Sequence, residues 1–480
     1  MNLRPPAPRR HEGPILIALI AVCAVLFSWL SVARHYTFNT AAYDLAMYDQ
    51  AVWNTSQGRW FEINLLEDSM PGLTNKLGDH VEPILLPLAL LYRIRSNPDV
   101  LLIVQALALA ALIWPLYHLG RDKTGSFLLA GLSVALYLAH PGMWNALLFD
   151  FHPVTLGAAF LMFALWMLAR QRPVACLIFA LLAMACKEHI GLIVALLGLY
   201  VVLFRRSDRP LGALLFGVGL VGAIIAFGVI NPAYQPAGVS PYLVRYARLG
   251  DSLGEILLSP ITKPDVVWSM LSRPNRVSYY GDLLLPLGGL PLLGAELILP
   301  VLPDIALNTF SAFGPARSID YHYAILIVPF LILAASWGAD RVARFTRRKS
   351  IVWLAGAWML ISMAAYHIGH YGTFLPLSDR YAATFAFTPH HAAGLQIAGM
   401  VPAEAVVSAQ FNLVPHVSQR QRAHIFPRLD DAEYVFLDTQ GAIAPFEDEA
   451  SYRAAVDAVV NDPAFEVVAG QDSFILLRRK

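Results

Sequence analysis

Tyr43-Asp44-Leu45-Ala46-Met47-Tyr48-Asp49-Gln50-Ala51-Val52-Trp53-Asn54-Thr55-Ser56-Gln57-Gly58-Arg59, followed by Leu77-Gly78-Asp79-His80-Val81-Glu82-Pro83, is the stretch that decides how this chain is read. The two patches hold four carboxylates, a histidine and several aromatics. The surrounding 480-residue chain is 57% hydrophobic and only 14% charged, with a mean hydropathy of +0.54. A soluble domain carries about 25% charged residues, so the deficit points to a polytopic membrane protein. Polar clusters set beside a membrane core are seldom incidental, which makes the loop 34–83 the leading site.

Working outward, the first apolar run, 14–32, follows Arg4, Arg9 and Arg10 and is long enough to span. No A-x-A cleavage site follows it, so it reads as a retained helix with its arginines in the cytoplasm. Further spans are expected at 98–119, 125–140, 154–170, 174–186, 190–204, 211–230, 282–302, 322–338 and 351–367. The basic clusters Arg121/Lys123, Arg170/Arg172, Arg205/Arg206/Arg209 and Arg341/Arg344/Arg347/Arg348/Lys349 are then cytoplasmic. This alternation requires that 82–95 does not cross. It also requires that 282–302, broken by Gly288-Gly289 and Pro291, is a hairpin or re-entrant element with both ends outside. Five polar clusters, in 35–83, 141–153, 187–189, 231–280 and 317–322, then share the extracytoplasmic face.

Composition changes near residue 372. Short apolar strands at 405–408, 434–437 and 474–477 alternate with a helical run, 451–460, ended by Asn461-Asp462-Pro463. The expected organisation is a membrane domain, 1–371, and a small extracytoplasmic α/β domain, 372–480. A net charge of +1 without a basic block argues against nucleic acid. Cys23, Cys176 and Cys186 sit in apolar runs and form neither a disulfide framework nor a zinc pattern.

Several polar groups qualify for chemistry. Asp44 and Asp49 lie five apart, about 140° around a helix, so only one of them faces a given cavity. Either serves as a general base or metal ligand, against the plainer reading of two solvated acids. Asp79-His80-x-Glu82 offers carboxylate and imidazole donors suited to a divalent metal such as Mg²⁺ or Mn²⁺; the plainer reading is a helix cap by Asp79. Phe149-Asp150-Phe151-His152-Pro153 adds an acid and an imidazole at the mouth of two spans and completes the expected metal set. Lys187-Glu188-His189 interrupts an apolar stretch and needs a partner, water or its own Lys–Glu pair. Arg245, Arg248, Arg273 and Arg276, interleaved with tyrosines, suit a phosphate or a lipid headgroup. His322, in Asp320-Tyr321-His322-Tyr323, opens a later span and caps it or faces the same cavity. No P-loop, dinucleotide fingerprint, G-x-S-x-G or H-E-x-x-H is present.

These motifs resemble the DUF2079 family of bacterial membrane proteins. The matching pieces are Y-D-L-A-M-Y-D-Q-A-V-W-N-T-S-Q-G-R (43–59), L-G-D-H-V-E-P-I-L-L (77–86), L-F-D-F-H-P (148–153), C-K-E-H (186–189) and P-H-V-S-Q-R…I-F-P…Y-V-F-L-D (415–438). That family in turn is similar, in architecture, to the GT-C membrane glycosyltransferases. The resemblance implies a cytoplasmic N-terminus, an essential acid in the first extracytoplasmic loop and a polyprenyl-phosphate-linked sugar donor. By it, Asp44 or Asp49 falls where that acid sits, and motif matching does not choose between them. The expectation is therefore an inner-membrane glycosyltransferase. Asp44 or Asp49 is its base; Arg245, Arg248, Lys187, Glu188, His189 and His322 contact substrate; Asp79, His80, Glu82, Asp150 and His152 hold a metal or line the cavity. A transporter or flippase running an Asp/Glu/His relay is the alternative, and the absence of an internal repeat speaks against it. A receptor or scaffold reading leaves the loop clusters idle.

Overall fold

An uncharged apolar run has few ways to satisfy its backbone in lipid, and in this chain each such run becomes a helix. The structure is a computed structural model that describes residues 11–348 and 350–480. The expected cytoplasmic Arg4, Arg9, Arg10 and Lys349 lie outside the described residues. The first helix, α1 (Glu12–Tyr36), takes in the run 14–32. Helices long and apolar enough to cross a membrane are Glu12–Tyr36, Asp99–Thr124, Arg206–Tyr234 and Ser350–Tyr371. Two further pairs are bent, Phe127–Ala139 with Pro141–Leu148 by 47° and Leu290–Leu297 with Leu299–Phe310 by 82°. Shorter apolar helices, Pro153–Ala169, Pro173–Met184 and Ile190–Phe204, fill the bundle between them.

The segment expected to break does so for the reason its sequence gives. Gly288 and Gly289 both adopt left-handed backbone, with φ of 63° and 74°, a conformation that costs glycine little. Prolines at 286, 291, 300 and 303 remove helix donors, and the backbone winds as 3₁₀ over Leu285–Leu287, Leu290–Leu297 and Leu299–Val301. Residues 82–95 hold only an eight-residue helix, Leu85–Tyr92, too short to cross.

The two ends of α1 measure the bundle. At its start, Arg121 approaches Glu12 (3.5 Å). The other basic clusters gather at this end: Arg170 pairs with Asp122 (3.3 Å), and Arg344 donates to the Lys123 carbonyl. At its finish, Arg34 pairs with Asp150 (2.7 Å) and Tyr36 donates to Asp99 (3.0 Å). Twenty-five residues at 1.5 Å rise put these ends about 37 Å apart, more than the ~30 Å hydrocarbon core of a bilayer.

The C-terminal part builds a five-stranded mixed sheet: β1 (Val407–Ala409), β2 (Ala423–Ile425), β3 (Tyr434–Asp438), β4 (Phe465–Gln471) and β5 (Phe474–Arg479), in the order β2-β1-β3-β5-β4. Strand β1 runs parallel to β2 and β3; β5 is antiparallel to β3 and β4. The helix Glu449–Val460, capped by the Asp448 carboxylate, packs Tyr452, Val456 and Val459 on one face. Strands β2 and β4 are additional to those expected. The other face shares a core with the first loop: Val407, Ala409, Ile425, Phe436 and Leu476 meet Phe38, Ala42, Ala46 and Leu65. Asn64 completes the junction, its amide bonding both the N–H (3.1 Å) and the carbonyl (2.8 Å) of Ala423.

Candidate active site

Asp44 lies on a π-helical turn, Ala42–Ala46, that runs into the helix α2 (Met47–Ser56). Such turns recur at functional sites. Asp150 anchors this one. One of its carboxylate oxygens accepts the Ala41 N–H that opens the turn (2.7 Å), and the other is held by Arg34. Two residues on, His152 Nδ1 donates to the Asp150 carbonyl (3.0 Å), which turns Nε2 toward Asp44 Oδ1, also at 3.0 Å. With Nδ1 committed to a carbonyl, Nε2 is the ring nitrogen left to meet the carboxylate. The other face of His152 stacks on His322, ring centroids 3.6 Å apart.

The Asp44 side chain is 27% exposed and opens on a cavity of about 630 Å³, within the range of small-molecule sites. Asp79, His80, His152, Lys187, Glu188, His189, Arg245 and His322 also line it. His80 Nδ1 meets Glu188 at 2.9 Å and stacks on Tyr242, and His189 pairs with Asp304 at 3.2 Å. Burial raises the Glu188 carboxyl, but His80, Lys187 and His189 outweigh it and hold the group at about 2. Among the described residues, no carboxylate lies within ion-pair distance of Lys187 or Arg245. Arg245 instead rests its guanidinium over the rings of Tyr242 (4.3 Å) and Phe313 (4.4 Å). The cavity therefore holds a carboxylate–imidazole pair together with Lys187 and Arg245, neither of which is in a close ion pair among the described residues.

Four nominated residues lie elsewhere. Asp49 is fully buried and accepts from Tyr92 Oη (2.6 Å), Ser418 Oγ (2.6 Å) and Gln419 Nε2 (2.9 Å), joining α2 to the C-terminal part. Glu82 pairs with buried Lys76 (2.9 Å) and accepts from Tyr48. Asp150 holds the turn from behind, and Arg248 is exposed outside the cavity. Asp320 is likewise bonded away from it, to Tyr371 and Ser318.

The expected metal set is not assembled. Asp79 and Glu82 clasp the Lys76 ammonium, Asp150 holds Arg34, and His80 and His152 face Glu188 and Asp44. Among the described residues no three His, Cys, Asp or Glu side chains group to hold a metal ion.

Two contributors escaped sequence reasoning. Lys76 precedes the Leu77-Gly78-Asp79-His80 motif, where a lysine reads as loop solvation; it is wholly buried, with its ammonium 4.6 Å from the Tyr48 ring. Asp304 follows the broken apolar segment at a helix start, where it reads as a cap.

The fold defines a class. The structure is similar to ArnT from Cupriavidus metallidurans bound to undecaprenyl phosphate, at 15% identity and a TM-score of 0.53, covering 97% of this chain and 98% of that one. The apo form of the same protein scores 0.49 at 16% identity, with the same coverage. Oligosaccharyltransferase AglB from Archaeoglobus fulgidus, in complex with an inhibitory peptide and a dolichol-phosphate, scores 0.39 at 11% identity over 90% of this chain and 70% of that one. The architecture is thus that of a polytopic helical membrane protein with a GT-C-like fold. The chain itself belongs to the family of predicted membrane proteins DUF2079, which matches residues 34–476. No curated protein matches it.

Proposed function

We propose that this protein is a membrane glycosyltransferase that moves a sugar from a polyprenyl-phosphate donor to an acceptor hydroxyl on the extracytoplasmic face of the bacterial inner membrane. The observation that carries the reading is the cavity in which Asp44, paired to His152, faces Lys187 and Arg245. Asp44 takes the proton of the acceptor hydroxyl, whose oxygen bonds to the anomeric carbon as the carbon–oxygen bond to phosphate breaks. Lys187 and Arg245 meet the charge of the departing polyprenyl phosphate. The lipid class follows from the fold's likeness to a protein solved with undecaprenyl phosphate. Orientation follows from the basic residues that collect at the far end of α1, which by the positive-inside rule is cytoplasmic. The cavity and the C-terminal sheet are then extracytoplasmic.

A flippase is less well supported, because transporters place their polar site near the bilayer midplane, whereas these groups lie with the outer end of α1. The test is a proteoliposome assay with radiolabelled undecaprenyl-phosphate sugars and an extracted acceptor pool. Transfer predicts label in the acceptor pool and release of undecaprenyl phosphate, both lost in Asp44→Asn. Label that crosses the bilayer with its lipid linkage intact contradicts the reading.

A further inference from the structure

The cavity takes in Tyr242, Arg245 and Tyr246 but does not account for the rest of the segment between Tyr234, where one span ends, and Leu285, where the broken segment begins. Besides the helix Pro274–Leu284, that segment contains the helices α3 (Leu253–Thr262) and α4 (Pro264–Leu271), of 10 and 8 residues. Both are far shorter than the ~20 residues needed to cross a bilayer. Ser252 caps α3 by accepting the Glu255 N–H, and the chain breaks direction at Lys263-Pro264.

Leu253, Leu257, Leu258 and Ile261 fall at i, i+4, i+5 and i+8, one stripe along α3. All four are exposed, Ile261 at 80%, and Trp268 on α4 is 70% exposed. Ser259 and Met270 are the residues that face the protein. A continuous outward row of large aliphatic side chains capped by a tryptophan is not a face that water tolerates. Charged groups of both signs frame it: Arg248, Asp251, Glu255 and Asp265 are exposed at the helix starts, and Lys263 and Arg273 end α3 and follow α4 half-buried. Lys263 donates to the Leu249 carbonyl.

We infer that α3 and α4 lie flat in the outer-leaflet interface, their apolar stripe sunk to the headgroup–acyl boundary and the bilayer itself their partner. Four observations select lipid over a protein partner. Chain elements on both sides of the pair enter the membrane bundle, so the pair is held at interfacial depth. The pair is amphipathic as an interfacial helix is, apolar outward with charged residues of both signs beside the stripe. A tryptophan sits at the rim, where aromatic belts form. Tyr242, Arg245 and Tyr246, just before α3, already line the cavity. The inference holds whether or not the transfer reading does. If both hold, the cavity mouth is level with the headgroups, and a lipid-linked phosphate reaches Arg245 sideways.

The test is fluorescence in reconstituted vesicles. The three native cysteines are buried, so the unsubstituted chain supplies the labelling blank. An environment-sensitive dye is placed at Ile261→Cys and, as an aqueous reference, at Glu449→Cys on the exposed face of the C-terminal helix. Nitroxide-bearing phospholipid is expected to quench the 261 dye about threefold more than the 449 dye, and aqueous iodide the reverse. Iodide quenching as strong at 261 as at 449 puts the stripe in water and overturns the inference. Protection of 261 from both quenchers shows a protein cover, a second copy included, and overturns it equally. Neither substitution touches a cavity residue, so loss of any catalytic activity does not decide the outcome.

Discussion

Asp44 and Asp49 stand five residues apart on one continuous turn and helix, and their surroundings could hardly differ more. Asp44 pairs with His152 and has an open side toward a cavity. Asp49 has three neutral donors and no exposed surface. A carboxylate that is hydrogen-bonded to an imidazole and open to a cavity is within reach of a group bound there. One saturated by hydroxyl and amide donors in a dry junction fastens two parts together. Burial pushes the Asp49 carboxyl up to about 6 even against the three hydrogen bonds that favour its charge. Acidity alone therefore does not mark the base; access does.

The largest effect is expected at Asp44. Asp44→Asn keeps shape and removes the base, and should cut transfer about 10²–10⁴-fold, the usual worth of general base catalysis. The thermal midpoint should stay near that of the unsubstituted chain. A comparable loss of stability would place Asp44 in Asp49's role. Next comes Asp49→Ala, which strands three buried donors and should cost about 3 kcal/mol or more of stability in a denaturant titration, with transfer per folded molecule nearly unchanged.

The pH dependence sharpens the same contrast. The folded chain holds the Asp49 proton more tightly than the unfolded chain, so between 3.8 and about 6 the folded state binds more protons. Stability from this group therefore rises as pH falls through about 6 and levels below about 4, by at most about 3 kcal/mol. Asp49→Asn should erase that slope in thermal midpoints taken from pH 7.5 to 4. The smallest effect is expected at the cations: Arg245→Gln or Lys187→Gln should weaken binding of undecaprenyl phosphate about tenfold, or about 1.4 kcal/mol, without altering stability.

Much of this arrangement was legible in the residues. Lys187-Glu188-His189 inside an apolar run, and Asp150 with His152 between two spans, had to find polar company, and they do so around one cavity or directly behind it. The Gly288-Gly289 pair announced its break. What stayed hidden depends on distant parts of the chain. The difference in surroundings between Asp44 and Asp49 comes from Ser418 and Gln419, some 370 residues downstream, and no local spacing reports that. Asp79, His80 and Glu82 resemble a metal set because buried Lys76 is indistinguishable, in sequence, from an exposed loop lysine. Strand β2 has three residues, too few for a period-2 pattern to register, and β4 is an edge strand with a bulge between Val467 and Ala469.

The most direct measurement sets the two acids side by side. Asp44→Asn and Asp49→Asn, each reconstituted at equal folded protein, are assayed for transfer from undecaprenyl-phosphate sugars and for binding of undecaprenyl phosphate. The predicted result is normal binding with transfer cut about 10²–10⁴-fold for Asp44→Asn, and transfer near the unsubstituted rate for Asp49→Asn. Transfer by Asp44→Asn at the unsubstituted rate, or its loss only in Asp49→Asn, would contradict the account.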